Sequence, residues 1–541
     1  MNVVIGNAWP YANGSLHIGH ISALLPGDVL ARYFRAKGDT VFFVSGSDCH
    51  GTPVAIRARQ ENKTPEEMSD YYHNEFADCF NRLGFTYDLY GKTSAGYHKS
   101  FVQDFHRKLY KGGYVYEESI PQAYCRHCRQ FLPDRFVKGL CPYCGKPARG
   151  DQCEACGNVL EPENLLQAEC SICGEAPEFL PTNHLYLSIT RMKEELERYV
   201  ESHSHWRKNA YEMSKRYIQE GLRDRSLTRD LDWGIDVPKE GYENKKIYIW
   251  AENVLGYLSD CYTLCREKGI DFYEFWNSAK QYYVHGKDNI PFHTIILPSL
   301  LLGRTDVRLK LPDVIISSEY LTLEGRKIST SENWAIWVKD IIERYNPDSI
   351  RYFLVANGPE KRDTDFTWRE FINSHNGELL GAYGNFVNRS LVFIQKYFGN
   401  KVPEGQCNRN ISDSLKNLYP IIGGLIEDGN FKEALDTIFS FVRSANKYFD
   451  EEQPWITVKD SVEKCRETLN TCVQIIANLS HLLDPFLPFS SAKVRNILKI
   501  EKTAWEYVKV PSGLELGPVE ILFERIDKKA IQEEEQRLKG S

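Results

Sequence analysis

Four pairs of cysteines, each with two residues between its members, constrain this chain more than any other feature of its sequence. They use eight of the fifteen cysteines: Cys125/Cys128, Cys141/Cys144, Cys153/Cys156 and Cys170/Cys173. Disulfide frameworks of this density belong to small secreted chains, whereas in a long chain in a reducing compartment the pattern indicates metal binding. Eight thiolates suffice for two tetrahedral four-cysteine zinc sites of the closed, structural kind.

The sequence alone leaves the pairing of these cysteines open. The units "YCRHCRQFLPDRFVKGLCPYCG" and "QCEACGNVLEPENLLQAECSICG" have similar spacing, with twelve residues between pairs in one unit and thirteen in the other. This repeat favours consecutive pairing, in which the first pair shares an ion with the second and the third with the fourth. Nested pairing, in which the second pair joins the third and the first joins the fourth, is the alternative.

Length and charge limit the class of protein. A chain of 541 residues is too long for a single core, so two to four domains are expected. The net charge of −7 argues against a general coat for polyanions, although a local basic groove can still bind nucleic acid. No apolar run reaches the length of a membrane span, and the N-terminus lacks the pattern of a signal peptide. We therefore expect a cytoplasmic protein without a membrane partner.

Strand–loop–helix repeats near the N-terminus predict the fold class. Residues 2–5 have the pattern of a buried strand, and "LHIGHISALLPGDVLARYFRAKG" has helical spacing that ends at Gly38. The stretch "TVFFVSGSDCHGTPVAIRARQ" repeats this arrangement. Such repeats predict an α/β fold with a Rossmann-like parallel sheet, whose ligands bind where strands end and helices begin. Three long amphipathic segments after about residue 371 predict an α-helical bundle.

These patterns divide the chain into six segments. We expect the first half of the α/β domain at 1–115, an insertion with two zinc knuckles at 116–240 and the second half of the α/β domain at 241–320. A linking domain with the basic loop "LEGRKISTS" is expected at 321–372 and the helical bundle at 373–515. A tail helix, whose charges are expected to form a solvated face, completes the chain at 516–541.

Two histidines in the stretch "NAWPYANGSLHIGH" are candidates for chemistry. Alone, a pair such as His17 and His20 at the start of a helix is more often a capping feature than a catalytic one. The stretch "GSDCHGTP" adds a carboxylate, Asp48, at the next strand end, and "LEGRKISTS" adds a lysine, Lys327. Imidazoles at a helix N-terminus can hold nucleotide phosphates, and a lysine on a flexible loop can neutralise a leaving pyrophosphate.

Together these stretches resemble the class I aminoacyl-tRNA synthetases, which carry a HIGH motif and a KMSKS loop. They are most similar to the methionyl-tRNA synthetase family, whose pattern is matched by "PYANGSLHIGH", "GSDCHGTP", "FLPDRFVKGLCPYCG" and "GKDNIPFH". The resemblance extends from Val3 to about the end of the helical bundle. It implies a ligase that joins L-methionine to tRNA(Met) through methionyl-adenylate, uses ATP with Mg2+, and releases AMP and pyrophosphate.

The resemblance also implies roles for individual residues. The implied ATP site consists of His17, Gly19, His20, Lys327, Ser329 and Thr330, of which His17, His20 and Lys327 would be catalytic. The implied methionine site consists of Trp9, Tyr11, Asp48, Arg229, Trp250, Asn253, Val254, Tyr257 and His293, with Asp48 on the ammonium group. A thioether forms only weak hydrogen bonds, so its selection rests on shape and aromatic contact. The implied anticodon-reading residues of the bundle are Asn388, Arg389 and Trp455.

The chain departs from the family pattern at three places. Thr330 replaces the second lysine of the loop, "WAENVLGY" replaces the usual Asp-Ala-Pro after the tryptophan, and Leu297 stands where many relatives have a tryptophan. A C-terminal tRNA-binding domain that dimerises some relatives is not expected, so a monomer is predicted. Two other functions are considered: the same chemistry on leucine or isoleucine, and a zinc-ribbon tRNA-binding protein without catalysis.

Overall fold

The computed structural model describes residues 1–133, 136–150, 153, 156, 160, 162–330 and 332–540. Within these residues the strands, numbered in chain order, are β1 (Asn2–Asn7), β2 (Thr40–Ser47), β3 (Leu89–Lys92), β4 (Val115–Cys125), β5 (Gln130–Phe131), β6 (Val137–Leu140), β7 (Pro147–Arg149), β8 (Leu166–Cys170), β9 (Glu178–Leu187), β10 (Arg225–Ser226), β11 (Thr228–Arg229), β12 (Lys246–Ile247), β13 (Lys280–Gly286), β14 (Val314–Ser318), β15 (Leu321–Leu323), β16 (Arg326–Lys327) and β17 (Thr364–Phe366). Among the same residues we find no helix that combines the length and the apolar character needed to cross a membrane.

The helices of these described residues are α1 (Ile18–Ala36), α2 (Thr52–Gln60), α3 (Pro65–Arg82), α4 (Gly96–Lys111), α5 (Lys193–Glu201), α6 (Lys208–Gln219), α7 (Gly256–Lys268), α8 (Phe272–Ser278), α9 (Leu297–Leu302), α10 (Val338–Arg344), α11 (Pro347–Ala356), α12 (Trp368–Ser374), α13 (Asn385–Tyr397), α14 (Arg409–Glu427), α15 (Phe431–Glu452), α16 (Pro454–Asp460), α17 (Val462–Leu482), α18 (Pro488–Ile497) and α19 (Lys529–Gly540). Short 3-10 turns cover Ile249–Ala251 and Asn253–Leu255, and π-helical segments cover Phe292–Ile296 and His375–Gly384.

A parallel sheet of five strands forms the centre of the α/β domain. Its strands lie in the order β14-β13-β1-β2-β3, and every neighbouring pair is parallel. Val3, Val4 and Ile5 on β1 are all fully buried, because helices cover both faces of such a sheet and its strands are therefore continuously apolar. The predicted α/β fold with a Rossmann-like parallel sheet is confirmed.

The cysteine-rich insertion extends from the sheet on two long antiparallel arms. β4 pairs with β9 over ten residues, from Val115 opposite Leu187 to Tyr124 opposite Glu178. Beyond the arms, β6 pairs with β7 on one side and with β8 on the other to form a small three-stranded sheet. The arms determine which cysteines meet, because they bring the end of β4 beside the start of β9.

The predicted helical bundle is present, and the structure adds a member that the sequence analysis did not identify. The three predicted amphipathic segments contain α13, α15 and α17, and α14 packs against both α15 and α17. All four helices contribute apolar side chains to a common core, and α17 is its central member, since every residue from Thr468 to Leu482 is buried.

A buried arginine fastens the bundle to the α/β domain. Arg351 on α11 is completely buried, and its Nη2 lies 2.7 Å from Oδ2 of Asp28 on α1. The guanidinium also donates to the carbonyl oxygens of Pro485 and Phe486, both at 2.9 Å, in the connection between α17 and α18. A third carbonyl, that of Leu83, accepts at 3.1 Å. One side chain therefore contacts the core helix, the chain after α3 and the bundle.

The tail helix α19 does not have the entirely solvated charged surface that its sequence suggested. Glu534 is buried and accepts hydrogen bonds from Nε and Nη2 of Arg344 at 2.7 and 3.0 Å and from the hydroxyl of Tyr345 at 3.0 Å. The expectation of a solvated face is therefore wrong for this residue, because α19 packs against the linking segment and pairs its acid with an arginine.

Candidate active site

The two candidate histidines lie at the N-terminus of α1, where the chain leaves the carboxyl edge of β1. His17 is the N-cap residue: its Nδ1 accepts from the backbone N–H of Gly19 at 3.2 Å, and its own N–H donates to Nδ1 of His20 at 3.1 Å. The two ring centres are 3.9 Å apart. The pair thus caps the helix in the structure, and capping does not exclude chemistry at the remaining ring nitrogens.

Both imidazoles are neutral at neutral pH. Burial, and then the nearby His20, lower the pKa of His17 well below its usual value, and burial lowers the pKa of His20 to about 4. Since Nδ1 of each ring accepts a backbone hydrogen bond, Nε2 of each ring carries the hydrogen. The site therefore presents two N–H donors beside the positive end of a helix, an arrangement suited to phosphate oxygens.

Asp48 follows β2 at the same edge of the sheet. Its backbone is paired with the segment after β1, since its N–H donates to Pro10 at 2.8 Å and its carbonyl accepts from Ala12 at 2.8 Å. The carboxylate is 1% exposed and accepts from Nδ2 of Asn253 at 2.6 Å. Burial and then the nearby Glu252 raise the pKa of Asp48 well above its usual range. A cationic group of a ligand would stabilise the ionised carboxylate here.

Several aromatic side chains contact one another in the part of the site next to Asp48. Trp250 stacks on Phe292 with ring centres 3.6 Å apart, and the edge of Tyr11 meets Trp250 at 6.2 Å. The hydroxyl of Tyr257 lies 2.8 Å from Nε2 of His293, whose Nδ1 lies 2.9 Å from the carbonyl of Asn289. Burial lowers the pKa of His293 to about 4, so the neutral ring donates from Nδ1 and accepts the tyrosine hydroxyl at Nε2.

The remaining residues predicted to bind the methionine substrate lie in different surroundings. Trp9 is buried against Gly256, where an added Cβ would lie 2.5 Å from the indole ring, so only glycine fits beside it. Val254 is a buried core residue. The guanidinium of Arg229 stacks on the ring of Tyr248, 4.1 Å from its centre. Tyr248 lies two residues before Trp250 in the sequence.

The basic loop lies against the histidine pair. Lys327 is exposed on β16, which forms a hairpin with β15, and the next residue, Ile328, extends towards the start of α1. A Cβ added at Gly19 would lie 3.4 Å from Cδ1 of Ile328. The chain after the loop also pairs with this helix start, because the N–H of Ile18 donates to the carbonyl of Ile336 at 3.0 Å.

Other loop residues follow the hairpin. The backbones of Ser329 and Trp334 exchange hydrogen bonds at 3.0 and 2.9 Å, and Thr330 accepts from the N–H of Asn333 at 3.3 Å. Ser331, the last residue of the motif, lies outside the described residues. The structure therefore brings the loop that carries Lys327 to the histidines, although 310 positions separate His17 and Lys327 in the sequence.

The cysteines form two clusters with nested pairing. Cys125 and Cys128 meet Cys170 and Cys173, and Cys141 and Cys144 meet Cys153 and Cys156. The consecutive pairing favoured by the repeat is wrong, because the antiparallel arms β4 and β9 bring the first and last pairs together. Sulfur–sulfur distances between pairs are 3.4 and 3.9 Å in one cluster and 3.7 and 3.6 Å in the other. Sulfurs bound tetrahedrally at about 2.3 Å would lie about 3.8 Å apart, so both clusters fit a metal ion.

The three predicted anticodon residues lie on the bundle. Arg389 on α13 pairs with Asp450 at 2.7 Å, and its guanidinium lies 4.6 Å from the ring centre of Phe449 and 6.0 Å from that of Trp455. Trp455 at the start of α16 is 43% exposed, and Asn388 is also exposed. The surface offers an accessible indole beside a fixed cation.

One buried pair beside Asp48 was not predicted from the sequence. Nδ1 of His50 lies 2.7 Å from Oε1 of Glu252, and both side chains are almost fully buried. The two residues are 202 positions apart, so no local pattern joins them. The available signal was the acidic residue inside the otherwise apolar stretch "IYIWAENVLGY".

Comparison with known proteins defines first the class and then the family. A sequence profile described as "tRNA synthetases class I (M)" matches residues 3–391, and one described as "Anticodon binding domain of methionyl tRNA ligase" matches residues 402–541. The profile that matches residues 3–391 describes the class I enzymes, which the parallel sheet and the histidine motif also indicate. The chain belongs to the methionyl-tRNA synthetase family.

Individual relatives agree over the full length of the chain. Methionine–tRNA ligase 1 of Alkaliphilus oremlandii is 54% identical over 540 residues, which cover 99% of each chain. A methionine–tRNA ligase of Bacillus cereus strain B4264 is 54% identical over 546 residues and covers 100% of both. The crystal structure of Mycobacterium tuberculosis methionyl-tRNA synthetase bound by methionyl-adenylate, 20% identical, has the same fold, with a TM-score of 0.81 over 97% of this chain and 100% of that chain.

Proposed function

We propose that this chain is a methionine–tRNA ligase, which activates L-methionine with ATP and transfers the methionyl group to tRNA(Met). The observation that carries the proposal is the convergence of His17, His20, Asp48 and the loop of Lys327 at one edge of the parallel sheet. The relatives that are 54% identical over the whole chain support the same activity.

In the activation step, a carboxylate oxygen of methionine attacks the α-phosphorus of ATP. A new phosphorus–oxygen bond forms, the bond to the β-phosphate oxygen breaks, and pyrophosphate leaves. His17 and His20 donate their Nε2 hydrogens to phosphate oxygens, and Lys327 neutralises charge on the leaving pyrophosphate. Mg2+ bound with ATP would offset part of the remaining phosphate charge.

Methionine is held at both of its ends. Asp48 accepts hydrogen bonds from the α-ammonium group, with Asn253 fixing the carboxylate. Trp9, Tyr11, Trp250, Val254, Tyr257 and His293 enclose the side chain, and Arg229 supports the segment before Trp250. Neutral aromatic surfaces suit a polarisable thioether, which offers little to a hydrogen-bond donor.

In the transfer step, a ribose hydroxyl at the 3′ end of the tRNA attacks the carbonyl carbon of methionyl-adenylate. An ester bond forms, the bond between the carbonyl carbon and the phosphate oxygen breaks, and AMP and the hydroxyl proton are released. The anticodon is read on the bundle, where Trp455 stacks on a base and Arg389 and Asn388 supply polar contacts.

The two cysteine clusters hold one zinc ion each in this proposal. Four thiolates leave no open coordination position, so these ions stabilise the insertion and take no part in the reaction. The expected monomer, the cytoplasmic location and the six segment boundaries stay predictions.

Exchange of labelled pyrophosphate into ATP tests the activity directly. We expect exchange that depends on methionine and not on leucine or isoleucine. Exchange with leucine or isoleucine would assign the chemistry to another amino acid, and no exchange with any amino acid would favour a tRNA-binding protein without catalysis. His20→Ala should lower adenylate formation by orders of magnitude and leave methionine affinity near normal, because its contact strengthens in the transition state.

A further inference from the structure

A buried ion-pair geometry joins the two loops that form the surroundings of Asp48. Glu252 is 0% exposed and His50 1% exposed, and 2.7 Å separates Oε1 of the first from Nδ1 of the second. His50 belongs to the loop between β2 and α2, and Glu252 lies between the two 3-10 turns before α7. The pair therefore fixes the distance between two segments that no strand pairing connects directly among the described residues.

Both of the hydrogen bonds that orient the Asp48 carboxylate depend on these same segments. Asn253, whose Nδ2 donates to Oδ2 at 2.6 Å, directly follows Glu252. The backbone N–H of His50 donates to Oδ1 at 3.3 Å. If the two segments separated, Asp48 would stay with His50, which is on the same loop, and would lose the Asn253 donor.

The pair is also shielded from water. The ring of Trp233 meets His50 edge-on at 5.1 Å, and its Nε1 donates to the carbonyl of Cys49 at 2.7 Å. Oε2 of Glu252 and Nε2 of His50 have no hydrogen-bond partner within the described part of the chain. A hydrogen bond in such surroundings is strong, and removal of one partner leaves the other buried without compensation.

We propose that Glu252 and His50 are positioning residues for Asp48. By holding its carboxylate in place, they strengthen binding of the α-ammonium group of the amino acid substrate. They do not touch the substrate themselves but hold the carboxylate that does. The inference rests on the proposed function, since it takes Asp48 to be the ammonium ligand.

Three competing ligands separate this role from a general structural one. Methionine carries both the ammonium and the carboxylate, methioninol carries the ammonium alone, and 4-(methylthio)butanoate carries the carboxylate alone. Inhibition constants of the last two, and the KM of methionine, are measured by pyrophosphate exchange. We expect Glu252→Ala to weaken methionine and methioninol about 10- to 100-fold and to change the affinity for 4-(methylthio)butanoate by less than about twofold.

The conservative variant and a matched control sharpen the comparison. Glu252→Gln keeps an oxygen for Nδ1 of His50 and should retain methionine affinity within about threefold of the parent. Asp260→Asn removes a second fully buried carboxylate, whose partner is the hydroxyl of Tyr97 at 2.8 Å, and should leave all three affinities unchanged. If Glu252→Ala does not fold, His50→Ala removes the same hydrogen bond from the other side, with the same expected pattern.

The inference is overturned if the alanine variants weaken all three ligands equally, or weaken none. Asp48→Asn tests the premise separately. If that variant binds methioninol as tightly as the parent does, Asp48 is not the ammonium ligand and the proposed site itself is wrong. If Asp48→Asn loses methioninol and Glu252→Ala does not, only the positioning role is refuted.

Discussion

Replacing Arg351 by methionine is expected to loosen the joint between the α/β domain and the helical bundle. Methionine fills part of the same volume but removes the charge and every donor. The carboxylate of Asp28 would not be left alone, because Nε of Arg32 and the N–H and hydroxyl of Thr86 each still donate to it at 2.8 Å. The cost therefore lies mainly in three buried carbonyls, those of Leu83, Pro485 and Phe486, which lose their donor.

The size of the effect follows from these contacts. Three unsatisfied buried carbonyls at about 1–2 kcal/mol each cost about 3–6 kcal/mol, and weakening of the ion pair adds to this, so we expect a loss of at least about 3 kcal/mol in the free energy of unfolding. Such a loss is a large fraction of the stability of a typical domain. Local opening of α11 and of the connection between α17 and α18 should then become frequent enough to observe.

Urea unfolding and amide hydrogen exchange measure this change. Exchange matters because a chain with several domains need not unfold in one step, and a single unfolding energy can then mislead. Arg409→Met is the matched control, since Arg409 is 94% exposed and its contact with Asp413 is 3.9 Å long, so its urea midpoint should not move. A loss below about 1 kcal/mol for Arg351→Met, with exchange in α11 unchanged, would show that Arg351 does not stabilise this joint.

Three further predictions concern the metal clusters, the loop and the bundle. Metal analysis should find two zinc ions per chain in the parent and about one in Cys141→Ser, which should keep the ion of Cys125; loss of both ions would mean that the clusters are not independent. Lys327→Ala should slow single-turnover formation of methionyl-adenylate strongly, whereas Thr330→Lys should match or exceed the parent rate; an unchanged rate in Lys327→Ala would contradict the role given to the loop. Trp455→Ala should weaken tRNA charging by about 1–3 kcal/mol and leave pyrophosphate exchange intact, and equal losses in both assays would identify it as a folding residue.

Local sequence patterns were sufficient to predict the elements at the start of the chain. The helical spacing after Leu16 predicted α1, and the alternation of strand, polar loop and helix predicted the parallel sheet. The cysteine spacing likewise identified the eight cysteines that gather into two clusters, because a turn that places two thiols together is a local structure. Each of these features depends on residues that are close in the sequence.

Features that depend on distant segments were not predictable in this way. The repeat suggested consecutive cysteine pairing, yet the pairing of β4 with β9 brings Cys125 to Cys173. The charge pattern of α19 suggested solvent exposure, yet Arg344 from another part of the chain buries Glu534. The pair of His50 and Glu252 is a third case. In each, a tertiary contact overrode what the local pattern indicated.

Helix α1 physically connects the two functions assigned to this chain. Its N-terminus presents His17 and His20, and eleven residues further along, at roughly 16 Å, Asp28 meets Arg351 and through it the bundle. Pro26 lies between them and removes one backbone hydrogen bond, but α1 is continuous from Ile18 to Ala36, so the bundle is attached to the same helix that carries the histidines. Such a connection does not by itself couple anticodon binding to adenylate formation. Coupling requires a structural element with two conformations whose equilibrium is shifted by both events. Arg351→Met distinguishes a purely structural connection from coupling. If the connection is only structural, the variant is less stable but its rates of methionine-dependent pyrophosphate exchange with and without tRNA equal those of the parent. If the two events are coupled, the variant changes the ratio of the rate with tRNA to the rate without it.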